Sequence, residues 1–308
     1  MVAGVVITVG GDRIENLRMC LASLEELEPR KPEYAVVVLD GPVDGFQKDE
    51  WEAVRRPGGK QVPVHIVEAP KHEPGMEQPR NIGVRKIQEL NRHNGMLRQG
   101  YPVTHAWFLD SDIIVSPSAL ASYEAAMEDL DVERVMVGPY DWLPEGVREQ
   151  LPEIQNDIRW ASFNSIPPTE ALVNDLSAGL ACLGGNLVWP IDQFARIGGF
   201  WSELHHGRCE DGELGLRAVA CGTPISYVVG ARGWHLHHPE NMPLKLERNE
   251  RDVPMLNERH PWVQGAGLFV VEEDGKRFNV QCPCGWQGNT AEIWDHKGKC
   301  EEEGWGAV

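Results

Sequence analysis

The chain has 308 residues, enough for one large α/β domain with an appendage. Its 47 acidic and 29 basic residues give a net charge of −18, so a phosphate backbone is not the expected main partner, because non-specific nucleic-acid binding rests on basic patches. No apolar run has the length of a membrane span, the first residues lack a basic leader, and seven cysteines is an odd number; reduced thiols in a cytoplasmic protein are expected.

The elements follow from periodicity. Val5 to Val9 reads as a first strand. Asp12 and Glu15 have capping-box spacing, and Ile14, Leu17, Leu21 and Leu24 then recur at helical intervals. Tyr34 to Leu39 is a second strand that ends in the turn signal Asp40-Gly41-Pro42. Gln47 to Val54 is a weak helix, Val62 to Val67 a third strand, and Gln78 to Asn91 a helix with Ile82, Ile87 and Leu90 on its apolar face. A fourth apolar strand runs through Trp107-Phe108-Leu109 into Asp110. Uninterrupted apolar strands alternating with helices predict a mostly parallel sheet covered on both faces, with ligands at the carboxyl ends of the strands. Thr8, Gly10, Asp40 and Asp110 all fall at those ends.

The second half is less regular. Ser116 to Leu130 reads as a helix and Val135 to Val137 as a short strand. Residues 140–179 show few periodic patterns, and a long irregular stretch in a compact domain is more often functional than accidental. Gly184-Gly185-Asn186 precedes an apolar run to Pro190, Ile197 to Trp201 repeats a Gly-Gly turn, and Glu210-Asp211 opens a helix carrying Leu214, Leu216, Val219 and Ala220. Ile225 to Val229 is the last strand, followed by His235, His237 and His238.

Asp110-Ser111-Asp112 is the stretch around which the rest is arranged. In an extended chain residues i and i+2 share a face, which would put both carboxylates on one side as hard oxygen ligands for Mg²⁺ or Mn²⁺. The alternative is a polar turn after a core strand. His235 and His237 have the same i, i+2 spacing and would present both imidazoles to that metal, the alternative being a solvated histidine cluster.

Five motifs stand in one order: Asp-Ser-Asp after a strand, Gly-Gly-Asn-Leu-Val-Trp-Pro, Ile-Gly-Gly-Phe-Trp, Cys-Glu-Asp-Gly-Glu-Leu-Gly-Leu-Arg, and His-Leu-His-His-Pro. Together they resemble A-type glycosyltransferases over roughly the first four-fifths of the chain. The N-terminal part resembles glycosyltransferase family 2, and residues 184–238 resemble the C-terminal part of the β-1,4-galactosyltransferase family. The resemblance implies a nucleotide-sugar donor, a UDP-sugar by preference, transferred to an acceptor hydroxyl. It implies Asp110, Ser111 and Asp112 at the donor diphosphate and its metal, with the histidine pair completing the shell. It implies Asp211 as the base of an inverting transfer, with Glu210 shaping the acceptor pocket. Both acids would also suit a helix N-terminus. Asp40 would lie against the base or ribose, although Leu-Asp-Gly-Pro departs from the Asp-Asp-Gly-Ser common in family 2. Arg80, in Arg-Asn-Ile-Gly, would reach the diphosphate as a fixed cation, or else be an exposed arginine opening a helix. Gly184 and Gly185 would let the backbone approach a sugar. Trp142, Trp160 and Trp201 are candidates for an acceptor platform or for core packing.

The tail reads separately. Cys282, Cys284, His296 and Cys300 form C-x-C-x11-H-x3-C, a donor set suited to one tetrahedral structural Zn²⁺. The first spacing is tighter than usual for zinc fingers. Residues between Gly265 and Phe278 would link this tail to the rest or pair as a hairpin. The expected organisation is a catalytic domain over 1–262, with a nucleotide-sugar half 1–115 and an acceptor half 116–262, and a zinc-binding appendage over 263–308. The acceptor stays open among a glycan, a protein side chain and a modified nucleobase. The competing reading is a non-catalytic carbohydrate- or partner-binding module whose zinc-stabilised tail is the interaction element.

Overall fold

The structure, a computed structural model, describes residues 1–47, 62–97, 102–129, 133–147, 179, 182, 184–205, 209–239, 242–260, 270–271, 278–281 and 287–289. The chain divides into two compact units, Met1–His206 with Glu210–His238, and Gly207–Cys209 with Pro239–Val308.

The first unit is built on a seven-stranded sheet. Its strands are β1 (Ala3–Gly11), β2 (Tyr34–Val43), β3 (Val64–Ala69), β4 (His105–Asp110), β6 (Val135–Val137), β8 (Asn186–Pro190) and β9 (Ile225–Tyr227), in the order β3-β2-β1-β4-β8-β6-β9. The first four are mutually parallel, β8 runs antiparallel to both β4 and β6, and β6 and β9 are parallel. Alternation along β1 explains the two-sided core. Val6 joins Val36, Val38 and Phe108 on one face, while Val5 and Ile7 join Val37, Trp107 and Leu109 on the other. Both faces are apolar because both are covered by helices. Helices α1 (Ile14–Glu25) and α3 (Ala119–Asp129) supply Leu17, Leu24, Leu120 and Tyr123 to one side. Helices α2 (Pro79–Leu97), α4 (Ile191–Arg196) and α5 (Glu210–Ala220) supply Val84, Ile87, Phe194, Leu214 and Val219 to the other.

A second, three-stranded sheet is formed by β5 (Ile113–Val115), β10 (Gly233–His235) and β7 (Tyr140–Trp142), in the order β5-β10-β7. The chain passes from one sheet to the other across a turn at Ser111-Asp112. Asn186 ties this junction together. Its side-chain oxygen accepts from Trp107 Nε1 at 2.9 Å and from the Tyr123 hydroxyl at 2.8 Å, and its Nδ2 donates to the Ala231 carbonyl at 2.7 Å. The asparagine of the Gly-Gly-Asn motif is therefore a buried strut that seats the two glycines before it.

Two local expectations differ from the outcome. The strand β2 continues through Asp40-Gly41-Pro42 to Val43, with a register shift opposite it between Val9 and Gly11. The capping box does not form: Arg13 occupies the N-cap of α1 without a side-chain cap bond, leaving Asp12 one residue outside. In the second unit, α6 (Met242–Arg259) contains Pro254, and β11 (Val270–Val271), β12 (Phe278–Gln281) and β13 (Gln287–Asn289) make an antiparallel sheet in that order. The pairing of β11 with β12 is the hairpin alternative for residues 265–278. Cys282, Cys284, His296 and Cys300 lie outside the described residues, as do Trp160 and residues 48–54 of the weak helix.

Candidate active site

The Asp-Ser-Asp segment straddles the junction between the two sheets, so its two carboxylates belong to two different clusters. Asp110 ends β4, opposite the buried Thr8 of β1. Asp112 is the second residue of the turn, buried just before β5. Same-face spacing requires extended backbone throughout, and the turn at Ser111-Asp112 removes it. In the structure Asp110 bonds Arg80, whereas Asp112 stands with His235 and His238.

The Asp110 cluster is centred on Arg80. The helix α2 begins at Pro79, a favourable first position, which places Arg80 in the opening turn. Its neighbours fix that turn against the Gly-Gly segment. Asn81 exchanges two hydrogen bonds with the Phe200 backbone, at 2.8 and 2.9 Å, and Gln78 Nε2 donates to the Leu204 carbonyl at 2.8 Å. Gly83 lets the helix approach the sheet, since a Cβ there would lie 2.3 Å from Val6 Cγ1. Arg80, only 4% exposed, donates to Asp110 Oδ1 at 2.6 Å and to Asp211 Oδ1 at 2.7 Å. It also faces Glu210 Oε1 at 3.4 Å and lies over the Phe200 ring at 5.3 Å. Burial alone would lower the guanidinium's proton affinity, but the three carboxylates outweigh it and hold the charge firmly. In this structure the planar fork of Arg80, expected at a diphosphate, is engaged by carboxylates inside the protein.

Glu210 and Asp211 open α5, whose first turn also carries Glu213. Glu210 is fully buried, while Asp211 keeps 13% of its side chain exposed. Burial pushes the Asp211 carboxyl up to about 7; the ion pair with Arg80 opposes this, Glu210 and Asp110 add to it, and the Gly184 amide bond opposes it again. The Gly184-Gly185 pair forms the wall of this cluster. A Cβ on Gly184 would lie 2.4 Å from Asp211 Oδ1 and 2.7 Å from Arg80 Cζ, and one on Gly185 would lie 2.9 Å from the Tyr140 ring and 3.3 Å from Asp110 Oδ2. Only glycine fits.

The second cluster surrounds Asp112. His235 Nε2 stands 3.3 Å from Oδ1, His238 Nε2 stands 3.3 Å from Oδ2, and Arg13 Nη1 donates to Oδ2 at 2.8 Å. The ligating atoms of Asp112, His235 and His238 lie within 4.8 Å of one another. His237, expected to pair with His235, is exposed, and the imidazole that clusters with Asp112 and His235 is that of His238. The strand β10 stops at His235, and alternation does not carry on to His237.

The donor set fits a divalent metal. His235 Nδ1 bonds the Leu236 carbonyl at 2.9 Å, and a carbonyl can only accept, so Nδ1 carries the proton. Burial lowers the His235 imidazole, with Asp112 and Asp110 opposing, so the ring is neutral and its Nε2 lone pair faces Asp112 Oδ1. That oxygen is buried without a hydrogen bond. A cation between these two acceptors would satisfy both. Burial would also raise Asp112, but the His238 hydrogen bond and the Arg13 charge oppose it, and the carboxyl is held below its ordinary value. A carboxylate with two imidazoles suits Mn²⁺ better than Mg²⁺.

No protein-family model and no curated protein matches the chain. Among solved structures, S. aureus TarS 1–349 in complex with UDP-GlcNAc aligns over 78% of this chain and 60% of its own, with a TM-score of 0.55 and 15% identity. GalNAc-T7 with UDP, GalNAc and Mn²⁺ aligns over 86% of this chain and 48% of its own, with a TM-score of 0.56 and 16% identity. The chain has the A-type glycosyltransferase fold. It spans less than two thirds of either structure's length.

Within that fold the remaining expected residues are placed as follows. Asp40 accepts a hydrogen bond from the His72 backbone amide on the β2 side of the sheet. Ser111 is buried in the turn between the two clusters. Trp142 is 50% exposed, and its ring centroid lies 3.7 Å from that of His235. Trp201 is half-buried, and its carbonyl accepts from Gln78. Arg13 was missed by sequence reasoning. Its only sequence signal was its place immediately after a strand and an aspartate, which reads as a helix start.

Proposed function

We propose that this chain is a metal-dependent glycosyltransferase that moves a sugar from a nucleotide-sugar, a UDP-sugar by preference, to an acceptor hydroxyl with inversion. The observation that carries the reading is the meeting of two chemically distinct clusters on either side of Ser111, at the carboxyl end of a parallel sheet. One has the donor set of a cation site, and the other presents a carboxylate whose proton affinity is near neutral. TarS in complex with UDP-GlcNAc and GalNAc-T7 with UDP and Mn²⁺ share the fold, which supports the choice of donor class.

Asp112, His235 and His238 would hold the divalent ion, which, when bound, neutralises the charge that develops on a departing nucleotide diphosphate. Asp211 takes the proton of the acceptor hydroxyl as that oxygen attacks the anomeric carbon. A base works best when its pKa lies near the working pH, and burial among acids gives Asp211 that value despite the adjacent arginine. Arg80 holds Asp211 and Asp110 at fixed separation, and Glu210 completes the guanidinium's charge balance. The exposed face of Trp142 offers an apolar platform beside the cation site. A screen of UDP-sugars with Mn²⁺, read by UDP release with anomeric analysis of the product by NMR, tests this. Turnover with inverted product is expected, and a retained anomeric configuration removes Asp211 from the base role.

The proposal extends to the tail, residues 263–308, as a structural zinc module with Cys282, Cys284, His296 and Cys300 as ligands, supported by their spacing. Elemental analysis should find one zinc per chain; its absence from metal-replete protein counts against the site.

A further inference from the structure

The Asp112 cluster already holds one cation of the protein's own. Arg13 Nη1 lies 2.8 Å from Asp112 Oδ2. The two imidazoles face different oxygens of this carboxylate, His235 at Oδ1 and His238 at Oδ2. An ion held by Asp112, His235 and His238 would share the carboxylate that Arg13 already bonds. A divalent ion and a guanidinium repel each other there, and both compete for the same lone pairs.

The setting of Arg13 suits it to leave. Its side chain is 40% exposed, whereas that of Arg80 is 4% exposed. Arg80 is bound by two close carboxylates and a third beyond them, while Arg13 has a charge-assisted bond to Asp112 alone among the described ion pairs. Its backbone is fixed at the N-cap of α1, so the long side chain can swing into solvent without moving the helix. Withdrawing Arg80 would strand buried carboxylates, but withdrawing Arg13 strands Asp112 only until another cation arrives.

We propose that Arg13 is a displaceable internal counter-ion that fills the cation position at Asp112 until the divalent metal replaces it, and so weakens metal binding in the absence of donor. This rests on the metal site proposed above. A coupling follows. The released guanidinium is a free positive charge beside the metal, and a nucleotide diphosphate offers it a new anionic partner. Metal and diphosphate thus bind more tightly together than apart, and the coupling is reciprocal. Arg13 is a positioning residue for cation affinity, not a catalytic one.

The test is Mn²⁺ binding to the full chain, read by electron paramagnetic resonance of the free ion, with and without UDP. The variants are Arg13→Gln, Arg13→Ala and Asp112→Asn. Without UDP, both Arg13 variants should bind Mn²⁺ about tenfold more tightly than wild type, because a competitor has been removed. The tightening caused by UDP should be large in wild type and small in both. Loss of Mn²⁺ binding in Asp112→Asn, with equal or weaker binding in both Arg13 variants, overturns the proposal and leaves the metal site standing. Wild-type Mn²⁺ affinity in Asp112→Asn overturns the metal site and the proposal with it.

Discussion

The two halves of the Asp-Ser-Asp segment sit two residues apart and live in opposite electrostatic regimes. Asp110 belongs to a cluster with one deeply buried arginine among three carboxylates, locked by hydrogen bonds of 2.6 and 2.7 Å. Asp112 belongs to a cluster with one carboxylate, two imidazoles and a half-exposed arginine. The first has a permanent cation and a surplus of acid, which suits accepting a proton. The second has a partly exposed arginine and two imidazoles beside one carboxylate, the donor set proposed above for a metal. In the proposed transfer the turn at Ser111 would separate proton chemistry from charge neutralisation of the leaving group, two tasks an inverting transfer keeps on opposite sides of the reacting carbon.

The comparison breaks most visibly at Asp211. Asp211→Asn keeps the size and part of the Arg80 contact but removes the proposed base, and turnover should fall by about 10²- to 10⁴-fold. Binding of UDP with Mn²⁺ should stay near wild type, measured by calorimetry. The pH profile sharpens the point. A carboxyl raised from the ordinary range to about 7 is protonated below that value, so kcat/KM should rise with pH through about 7 and level off above it. Stability carries the opposite sign: the contribution from Asp211 is complete below the ordinary carboxyl range and is lost as pH rises through about 7.

Next in size is Arg80→Met, which leaves three carboxylates facing one another in a buried space. A loss of about 3–5 kcal/mol of folding stability is expected, read by urea unfolding, because one partner of a buried ionic cluster has been removed. A cost under about 0.5 kcal/mol, the size of an ordinary surface change, would mean that the cluster is not locked.

The smallest effect separates the histidines. His238→Ala should weaken Mn²⁺ affinity clearly, whereas His237→Ala, at an exposed position outside the triad, should leave both affinity and stability within about 0.5 kcal/mol of wild type. Reversal of that order would restore the histidine pair that the sequence suggested.

What the sequence revealed and what it hid divide along the same line. The strands were legible because both faces of the sheet are covered, so β1, β2 and β4 are continuous apolar runs. Glu210-Asp211 and the Gly-Gly pair were legible as a helix start and a place of close approach. The partnership of Asp112 with His238 was not. The i, i+2 rule holds only while the backbone stays extended, and it fails twice here, at Ser111 and after His235. The destination of the two arginines was equally hidden. Arg80 meets carboxylates 30, 130 and 131 residues away, and Arg13 meets one 99 residues away. Such contacts come from topology, which brings the ends of β1 and β4 and the starts of α2 and α5 together, and no local pattern encodes them.

The most direct test of the account is calorimetric titration of UDP into the chain, with Mn²⁺ and then with EDTA, in wild type and in Asp112→Asn. The account predicts UDP binding that requires Mn²⁺ and is lost in Asp112→Asn. UDP affinity that is the same in EDTA, or unchanged in Asp112→Asn, would contradict it.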